Sequence, residues 1–198
     1  MGSARTGDGG ETMRKRHGEK GFTLIEVVVV VAVIAILAAI LTPYITKYID
    51  DSKIAKAKNE TQVVAAAVVN AMKDLGRWPN RRTATADYPG LYTGTAPPAA
   101  FFVGAGWPAP GANNWNLLDT HLVTNGHGYP ATGDTAWKGP YATSLPVDPW
   151  ARSYVINSAN FQSPPNPVWV LSAGPNGVVD TAAGAATLAS DDIGFRIQ

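Results

Sequence analysis

The chain contains no cysteine among its 198 residues, so disulfides and thiolate metal sites are excluded. Charge is also scarce, because Asp, Glu, Lys and Arg make up 16% of the residues and the formal net charge is +1. No basic stripe interleaved with aromatic residues is present, and we therefore expect no nucleic acid as a primary ligand. Carboxylates are too scattered to suggest a catalytic acid and base pair, and we expect no enzyme.

Histidine is rare too, with three in the chain. His121 and His127 lie in a Gly- and Asn-rich stretch, with a spacing that matches no common zinc site. We expect both to be solvent-exposed loop histidines. The glycines within 104–106 are followed by Trp107 and Pro108 and open no helix, so they are not a dinucleotide-binding loop.

What the chain has in excess is a single apolar run. From Phe22 to Leu41 every residue is uncharged except Glu26. About 20 residues at a rise of about 1.5 Å span roughly 30 Å, the thickness of a bilayer hydrocarbon core. We predict a transmembrane helix over residues 22–42. A buried core helix is the weaker alternative, because soluble helices are rarely apolar on every face.

Basic residues precede the apolar run and predict a cytoplasmic N-terminus with the rest of the chain across the membrane. They are Arg14, Lys15, Arg16 and Lys20. Met13 lies just before this cluster and is an alternative start of the chain. A secretory signal cleaved near Ala39 is another alternative. Glu26 argues against it, because an unpaired carboxylate in an apolar segment costs on the order of a few kcal/mol on insertion.

Residues Lys20 to Glu26 read KGFTLIE, which resembles the cleavage and methylation motif of type IV prepilins and of the pseudopilins of type II secretion. The resemblance implies a leader over 1–21, cleavage by prepilin peptidase between Gly21 and Phe22, and N-methylation of Phe22. The new α-amine at Phe22 and the carboxylate of Glu26 lie one helical turn apart. They can pair within one chain or, as the family implies, between neighbouring subunits. A plain signal anchor is the alternative.

A second helical stretch follows the apolar run. Pro43 is expected to loosen the helix locally, but residues 46–75 contain no Gly or Pro, and Gly76 is expected to end the helix. Charges over 50–60 predict a solvated face, with intersubunit ion pairs as the alternative. One face is predicted to be buried, at Val64, Val68, Ala71 and Leu75. About 150 residues beyond the membrane segment suffice for one compact domain.

The C-terminal third predicts three short antiparallel strands, at Ser153–Ile156, Val168–Ser172 and Ile193–Ile197. Together with the resemblance, they predict an α+β, pilin-like fold in which a long N-terminal helix, half transmembrane and half amphipathic, packs on a small antiparallel β-sheet. Residues 80–136 are rich in Pro, Gly, Ala and Thr, and are expected to form an irregular insertion with one short helix or turn near Asn114–Leu122.

Three further segments resemble landmarks of the major pseudopilin of type II secretion, in the same order. They are Gly76–Pro79 (GRWP), Gly139–Tyr141 (GPY) and Leu145–Trp150 (LPVDPW). The resemblance implies an inner-membrane, single-pass subunit whose residues 43–198 form a periplasmic domain. The subunit would assemble with itself and with other pseudopilins into a fibre for protein export, on an inner-membrane assembly platform. The lack of cysteine favours this over a type IV pilus subunit; a membrane-anchored periplasmic binding module is a further alternative.

The same resemblance implies a structural calcium site near the C-terminus. Calcium prefers six to eight oxygen ligands. The candidate ligands are Leu171, Ser172, Asn176, Asp180, Asp191 and Asp192. The three aspartates would supply carboxylate oxygens, and Asn176 would supply an amide oxygen. Leu171 and Ser172 would supply backbone carbonyl oxygens. Without the resemblance, these are polar turn residues between two strands.

Overall fold

A computed structural model of the protein describes residues 21–163 and 165–198. The predicted leader, 1–21, lies outside these residues apart from Gly21. Helix α1 spans Leu24–Leu75 and continues through Pro43. Gly76 has a φ of 65°, and its N–H donates to the carbonyl of Met72 (2.9 Å). Glycine adopts this left-handed conformation at little cost, and the predicted end of the helix is confirmed.

The chain divides into two units at Ile45, within α1. The described part of the first unit, residues 21–45, is helical from Leu24 onward and is exposed throughout. Helix α1 contains a window long and apolar enough to cross a membrane, with mean hydropathy 3.2. These properties fit the predicted membrane segment at 22–42.

The second unit, Thr46–Gln198, buries one face of α1. The buried positions are Ala57, Thr61, Val64, Ala65, Ala67, Val68, Ala71 and Leu75. All four predicted core positions are among them. Glu60, predicted on a solvated face, instead accepts a hydrogen bond from the buried Tyr154 hydroxyl (2.7 Å) and lies 3.7 Å from the Lys56 ammonium. Burial and this bond raise the pKa of Tyr154.

Five short strands form the sheet against which α1 packs. They are β1 (Gly90–Tyr92), β2 (Trp115–Leu117), β3 (Val155–Ile156), β4 (Trp169–Ser172) and β5 (Ile193–Arg196). Their order in the sheet is β2-β1-β3-β4-β5, with β1 and β2 parallel and every other pair antiparallel. The α+β fold and the three C-terminal strands are confirmed. Strands β1 and β2 were not predicted.

Residues 80–136 are therefore tied to the sheet, although most of them are irregular. The predicted short element near 114–122 consists of β2 and a one-turn helix, α2 (Asp119–Leu122). The rings of Phe102, Trp107 and Trp115 stack with centroids 5.0 to 6.1 Å apart. The Trp107 indole N–H donates to the carbonyl of Thr181 (2.8 Å), which fastens this segment to the C-terminal part of the domain.

The prediction that both loop histidines are solvent-exposed was wrong. His121 is fully buried and stacks on the half-buried His127, with ring centroids 4.1 Å apart. The Nδ1 atom of His121 lies 2.7 Å from the hydroxyl of Tyr129. Burial lowers the pKa of His121 to about 2, which keeps the ring neutral. A neutral imidazole can be covered by aromatic neighbours, and that is what buries it here.

Candidate functional site

The first candidate site is the N-terminal end of α1, where Thr23 and Glu26 bind each other. The Oε2 atom of Glu26 accepts from the backbone N–H of Thr23 (2.7 Å) and from its hydroxyl (2.8 Å). In return, the N–H of Glu26 donates to the Thr23 hydroxyl (3.3 Å). This is a capping box, in which a Thr and a Glu three residues later satisfy N–H groups that the first helical turn leaves free. The predicted assembly residue thus also begins the helix.

Phe22 lies two residues before α1 begins, and Glu26 lies in the first turn of the helix. Phe22 is 86% exposed, and no hydrogen bond of its backbone is found among the described residues. Both hydrogen bonds that Thr23 donates, from its backbone N–H and from its hydroxyl, go to one oxygen of Glu26, and a carboxylate has a second oxygen with lone pairs to spare. The Glu26 carboxylate can therefore accept from a further donor without giving up the cap. Gly21 lies on the other side of the predicted cleavage point, and among the described residues beyond its chain neighbour no atom lies within 4 Å of where a Cβ would be.

The side chains that follow this turn are exposed among the described residues, 21–163 and 165–198. Large apolar residues from Leu24 to Ile45 are between 51% and 81% exposed. Covering a Val, Leu or Ile side chain contributes about 1.5 to 3 kcal/mol, so an uncovered run of this length is unfavourable in water. The N-terminal segment is chemically suited to lipid or to packing against other helices.

The second candidate site is the turn that follows β4, where calcium is predicted. Asp148, from the LPVDPW segment, holds the base of this turn. Its Oδ2 atom accepts from the hydroxyl of Ser172 (2.8 Å), and its Oδ1 atom accepts from the N–H of Arg152 (2.7 Å). Arg152 in turn donates to the carbonyl of Gly174. Asp148 is 3% exposed, and sequence reasoning assigned it no part in this site.

The predicted ligand residues Asn176, Asp180 and Asp191 come together at the tip of the turn. The Asn176 N–H donates to Oδ2 of Asp191 (2.7 Å), and its side-chain amide donates to Oδ2 of Asp180 (2.7 Å). The amide oxygen accepts from the N–H of Val178 (2.9 Å). The pairing of Ser172 with Ile193 places this turn beside the end of the chain that carries the aspartates. Asn176 is therefore the centre of the predicted site.

Asp192 lies deeper than the other carboxylates of the site. Its Oδ2 atom accepts from the N–H of Thr181 (2.6 Å), whereas its Oδ1 atom is buried without a hydrogen-bond partner. Burial raises the pKa of Asp192, and the charge of Asp180 adds to the rise. An unpartnered buried carboxylate oxygen is costly unless a cation or donor meets it, so this atom fits a calcium ligand.

The candidate calcium ligands are carboxylate, amide and backbone carbonyl oxygens rather than a cluster of carboxylates alone. Within residues 21–163 and 165–198, no group of three or more His, Cys, Asp or Glu side chains could hold a metal ion. A calcium ion here would need the amide and carbonyl oxygens as well as the aspartates. These are the donors that calcium, unlike a transition metal, accepts readily.

Comparison with known proteins gives two family matches and one relative. Residues 16–42 match the family described as "Prokaryotic N-terminal methylation motif". Residues 121–191 match the family described as "Type II secretion system (T2SS), protein G". The type II secretion system core protein G of Pseudomonas aeruginosa is 30% identical over 140 residues, which cover 71% of this chain and 74% of that protein. The chain belongs to the type II secretion protein G family. No solved structure gives a match.

Membership of this family assigns the chain as a structural pseudopilin-like subunit of a type II secretion pseudopilus. The family is structural and is not one of enzymes. A pseudopilin of this system assembles with other pseudopilins and is processed by prepilin peptidase. The exposed apolar helix and the prepilin motif fit an inner-membrane anchor. The type IV pilus and binding-module alternatives are not favoured.

Proposed function

We propose that this pseudopilin is cut between Gly21 and Phe22, methylated at the amine of Phe22, and anchored by residues 22–42 in the inner membrane. The basic leader stays in the cytoplasm and residues 43–198 lie in the periplasm. The exposed, uninterrupted apolar helix supports the proposal, since its side chains are exposed in the part of the chain that the structure describes. The inner-membrane assembly platform would receive the subunit in this orientation.

Glu26 would select the position of each new subunit in the fibre. In the free chain its carboxylate caps α1 through the Thr23 N–H and hydroxyl. In the fibre, it would also accept from the cationic amine of Phe22 of a neighbouring subunit. A buried charge that has lost its partner is strongly disfavoured, because nothing compensates its desolvation. Subunits that mismatch axially would leave both charges unpaired.

The capping box is the observation that carries this proposal, because it already holds the carboxylate at the end of the helix where the new amine appears. The test separates capping from assembly. Glu26→Gln keeps an acceptor for the Thr23 N–H but removes the charge, and Thr23→Ala removes a cap donor but keeps the charge. We expect fibres to be lost with Glu26→Gln and Glu26→Ala and to persist with Thr23→Ala.

Fibres would be measured by shearing and sedimentation, with cleavage of each variant followed by mass. A Glu26→Ala chain that is cleaved and still enters fibres as the unaltered chain does would contradict the assembly role. Loss of fibres in all three variants would instead assign Glu26 to helix capping.

We further propose that the turn after β4 binds a structural calcium ion. Asp180, Asp191 and Asp192 would supply carboxylate oxygens, and Asn176 its amide oxygen. The carbonyls of Leu171 and Ser172 would complete the set. Calcium supplies positive charge that offsets repulsion between the aspartates and meets the unpartnered Oδ1 atom of Asp192. It would pin a turn that no disulfide can hold in a chain without cysteine.

Thermal unfolding of the full chain in detergent tests the calcium site. A ligand at about 100 times its Kd stabilises by about 2.7 kcal/mol, which for a domain of about 150 residues raises the midpoint by roughly 5 to 10 °C. We expect that rise on adding calcium after chelation, and its loss in Asp192→Asn. Asp134→Asn, the same change at an exposed loop carboxylate, is the matched control and should keep the full response.

The calcium-free state of Asp192→Asn provides a second readout. A carboxyl with a raised folded pKa favours the fold below its unfolded value of about 3.8, and this contribution is lost as pH rises through the folded pKa. At pH 7 without calcium, Asp192→Asn should therefore be no less stable than the unaltered chain. An unchanged midpoint with and without calcium in the unaltered chain would refute the site.

A further inference from the structure

A shallow, mostly apolar groove lies between α1 and β5 in the domain. It encloses about 270 Å³, and six of its lining residues are Gln62, Ala66, Val69, Lys73, Phe195 and Arg196. We call it the α1/β5 groove. Phe195 is 41% exposed at its edge, whereas the other phenylalanines of the domain, Phe101, Phe102 and Phe161, are buried or half-buried.

The helical wall of the groove has the shape of a helix-packing surface. Gln62, Ala66, Val69 and Lys73 recur at spacings of four, three and four, so they share one face of α1. Ala66 is exposed and small, which lets a second backbone come close. A second helix laid along this face would cover Ala66 and Val69 and the ring of Phe195.

The groove is also positively charged at its rim. Lys73 and Arg196 are both exposed, and neither forms an ion pair with another residue in the described part of the chain. Arg196 donates through Nε to a main-chain oxygen of Gln198. An occupant with an apolar ring and a carboxylate on one helical face would suit this groove.

The chain itself has such a face, nearer the N-terminal end of α1. Tyr48 is 72% exposed, and Asp51 and Ser52 lie three and four residues further on, on the same side of α1. Asp51 has no ion-pair partner among residues 21–163 and 165–198. Lys53 lies about 140° around the helix from Tyr48, whereas Lys47 lies four residues before Asp51 and about 40° from it. The Tyr48 face therefore presents an aromatic ring and the Asp51 carboxylate, with Lys47 at its side.

We infer that the Tyr48 face of one copy docks into the α1/β5 groove of a second copy, with Asp51 near Lys73 and Arg196. Along α1, Tyr48 and Ala66 are separated by about 27 Å, so one chain cannot make this contact with itself. The contact joins two different surfaces of the same chain, and such head-to-tail pairing repeats into an open filament. The inference rests on the proposed fibre assembly and adds a contact outside the membrane segment.

Disulfide cross-linking tests this contact directly, because the chain has no cysteine of its own. The full chain would carry Tyr48→Cys and Ala66→Cys together, in cells that assemble type II secretion fibres but lack their own major pseudopilin. A disulfide needs Cα atoms about 4.4 to 6.8 Å apart, which excludes an internal bridge. We expect mild oxidation of fibres to yield a ladder of covalent multimers on a non-reducing gel.

The controls distinguish this contact from chance collisions. Each single cysteine variant should give no ladder. The pair Tyr48→Cys with Val147→Cys uses an exposed residue outside the groove and should give none either. Asp51→Lys should weaken the ladder of the 48/66 pair, and adding Lys73→Asp and Arg196→Asp to it should restore the ladder.

Three outcomes would overturn the inference. Fibres that form without a 48/66 ladder would reject the groove contact and leave the fibre function standing. A dimer from Ala66→Cys alone would indicate groove-to-groove pairing instead. Absence of fibres from the unaltered, correctly cleaved chain would reject the fibre assembly and the contact together.

Discussion

The two halves of α1 contain the same kinds of apolar side chain and treat them in opposite ways. Val30 in the first unit is 56% exposed, whereas Val68 in the second unit is fully buried against the sheet. The difference lies in what the chain supplies around each half. Residues 46–198 bury a core of their own, whereas residues 21–45 leave their apolar side chains exposed. Folding stability therefore comes from residues 46–198, and residues 21–45 offer an apolar surface to their surroundings.

The largest expected effect on stability comes from replacing a leucine with alanine, once in each of the two regions. Leu91 is fully buried in the domain core, and Leu37 is 52% exposed. Leu91→Ala should cost about 2 to 5 kcal/mol in the free energy of unfolding, because it removes buried methyl groups and leaves a cavity. Leu37→Ala should leave the unfolding of the domain unchanged. Chemical denaturation of the full chain in detergent measures both.

Leu37→Ala serves as the matched control for loss of a leucine side chain. A similar loss of stability for both variants would mean that the apolar segment contributes to folding of the domain. The division between the two regions would then be wrong.

A smaller effect on stability is expected from protonation of His121. Residues 22–42 contain no histidine. Its folded pKa of about 2 lies below the ordinary value of 6.5, so its contribution to stability is present above pH 6.5 and is lost as pH falls towards 2. One pH unit corresponds to about 1.4 kcal/mol, and from pH 6.5 to 5 the domain should lose about 2 kcal/mol. The lowered pKa of His127 acts in the same direction.

Denaturation midpoints at pH 7, 6 and 5 would measure this loss. His121→Gln should flatten the dependence in that window, while His127→Gln should keep most of it. Asp192 acts with the opposite sign, since its raised pKa favours the fold at lower pH. A pH dependence that is the same in His121→Gln and in the unaltered chain would contradict the burial of a neutral His121.

Local patterns predicted the parts of the fold that depend on local chemistry. The four-residue and three-residue spacing of Val64, Val68 and Ala71 predicted the buried face of α1, and Gly76 predicted its end. Strands β3, β4 and β5 were visible because β-branched and aromatic residues cluster between turn residues.

Features made by distant contacts could not be predicted in this way. Strands β1 and β2 have three residues each, too few to show alternation, and they exist because they pair with each other and with β3. Glycine is typical of turns, but Gly90 lies in strand β1. The ring of Trp115 occupies the space that a side chain at this position would need. The burial of His121 likewise depends on Tyr129 and His127.

One site feature was within reach of sequence reasoning and was missed. Thr23 and Glu26 have the Thr-x-x-Glu spacing of a capping box, next to an apolar helical run. Asp148 was a different case, because its contact with Ser172 crosses 24 positions of sequence and no local pattern marks it.

The most direct test of the proposed cleavage and anchoring is mass spectrometry of the mature N-terminus. The full-length protein would be expressed in cells with prepilin peptidase. We expect a chain that begins at Phe22, carries one added methyl group on its amine, and retains the whole apolar helix. A chain that keeps residues before Phe22, or that is cut near Ala39, would contradict the assignment of residues 22–42 as anchor and assembly surface.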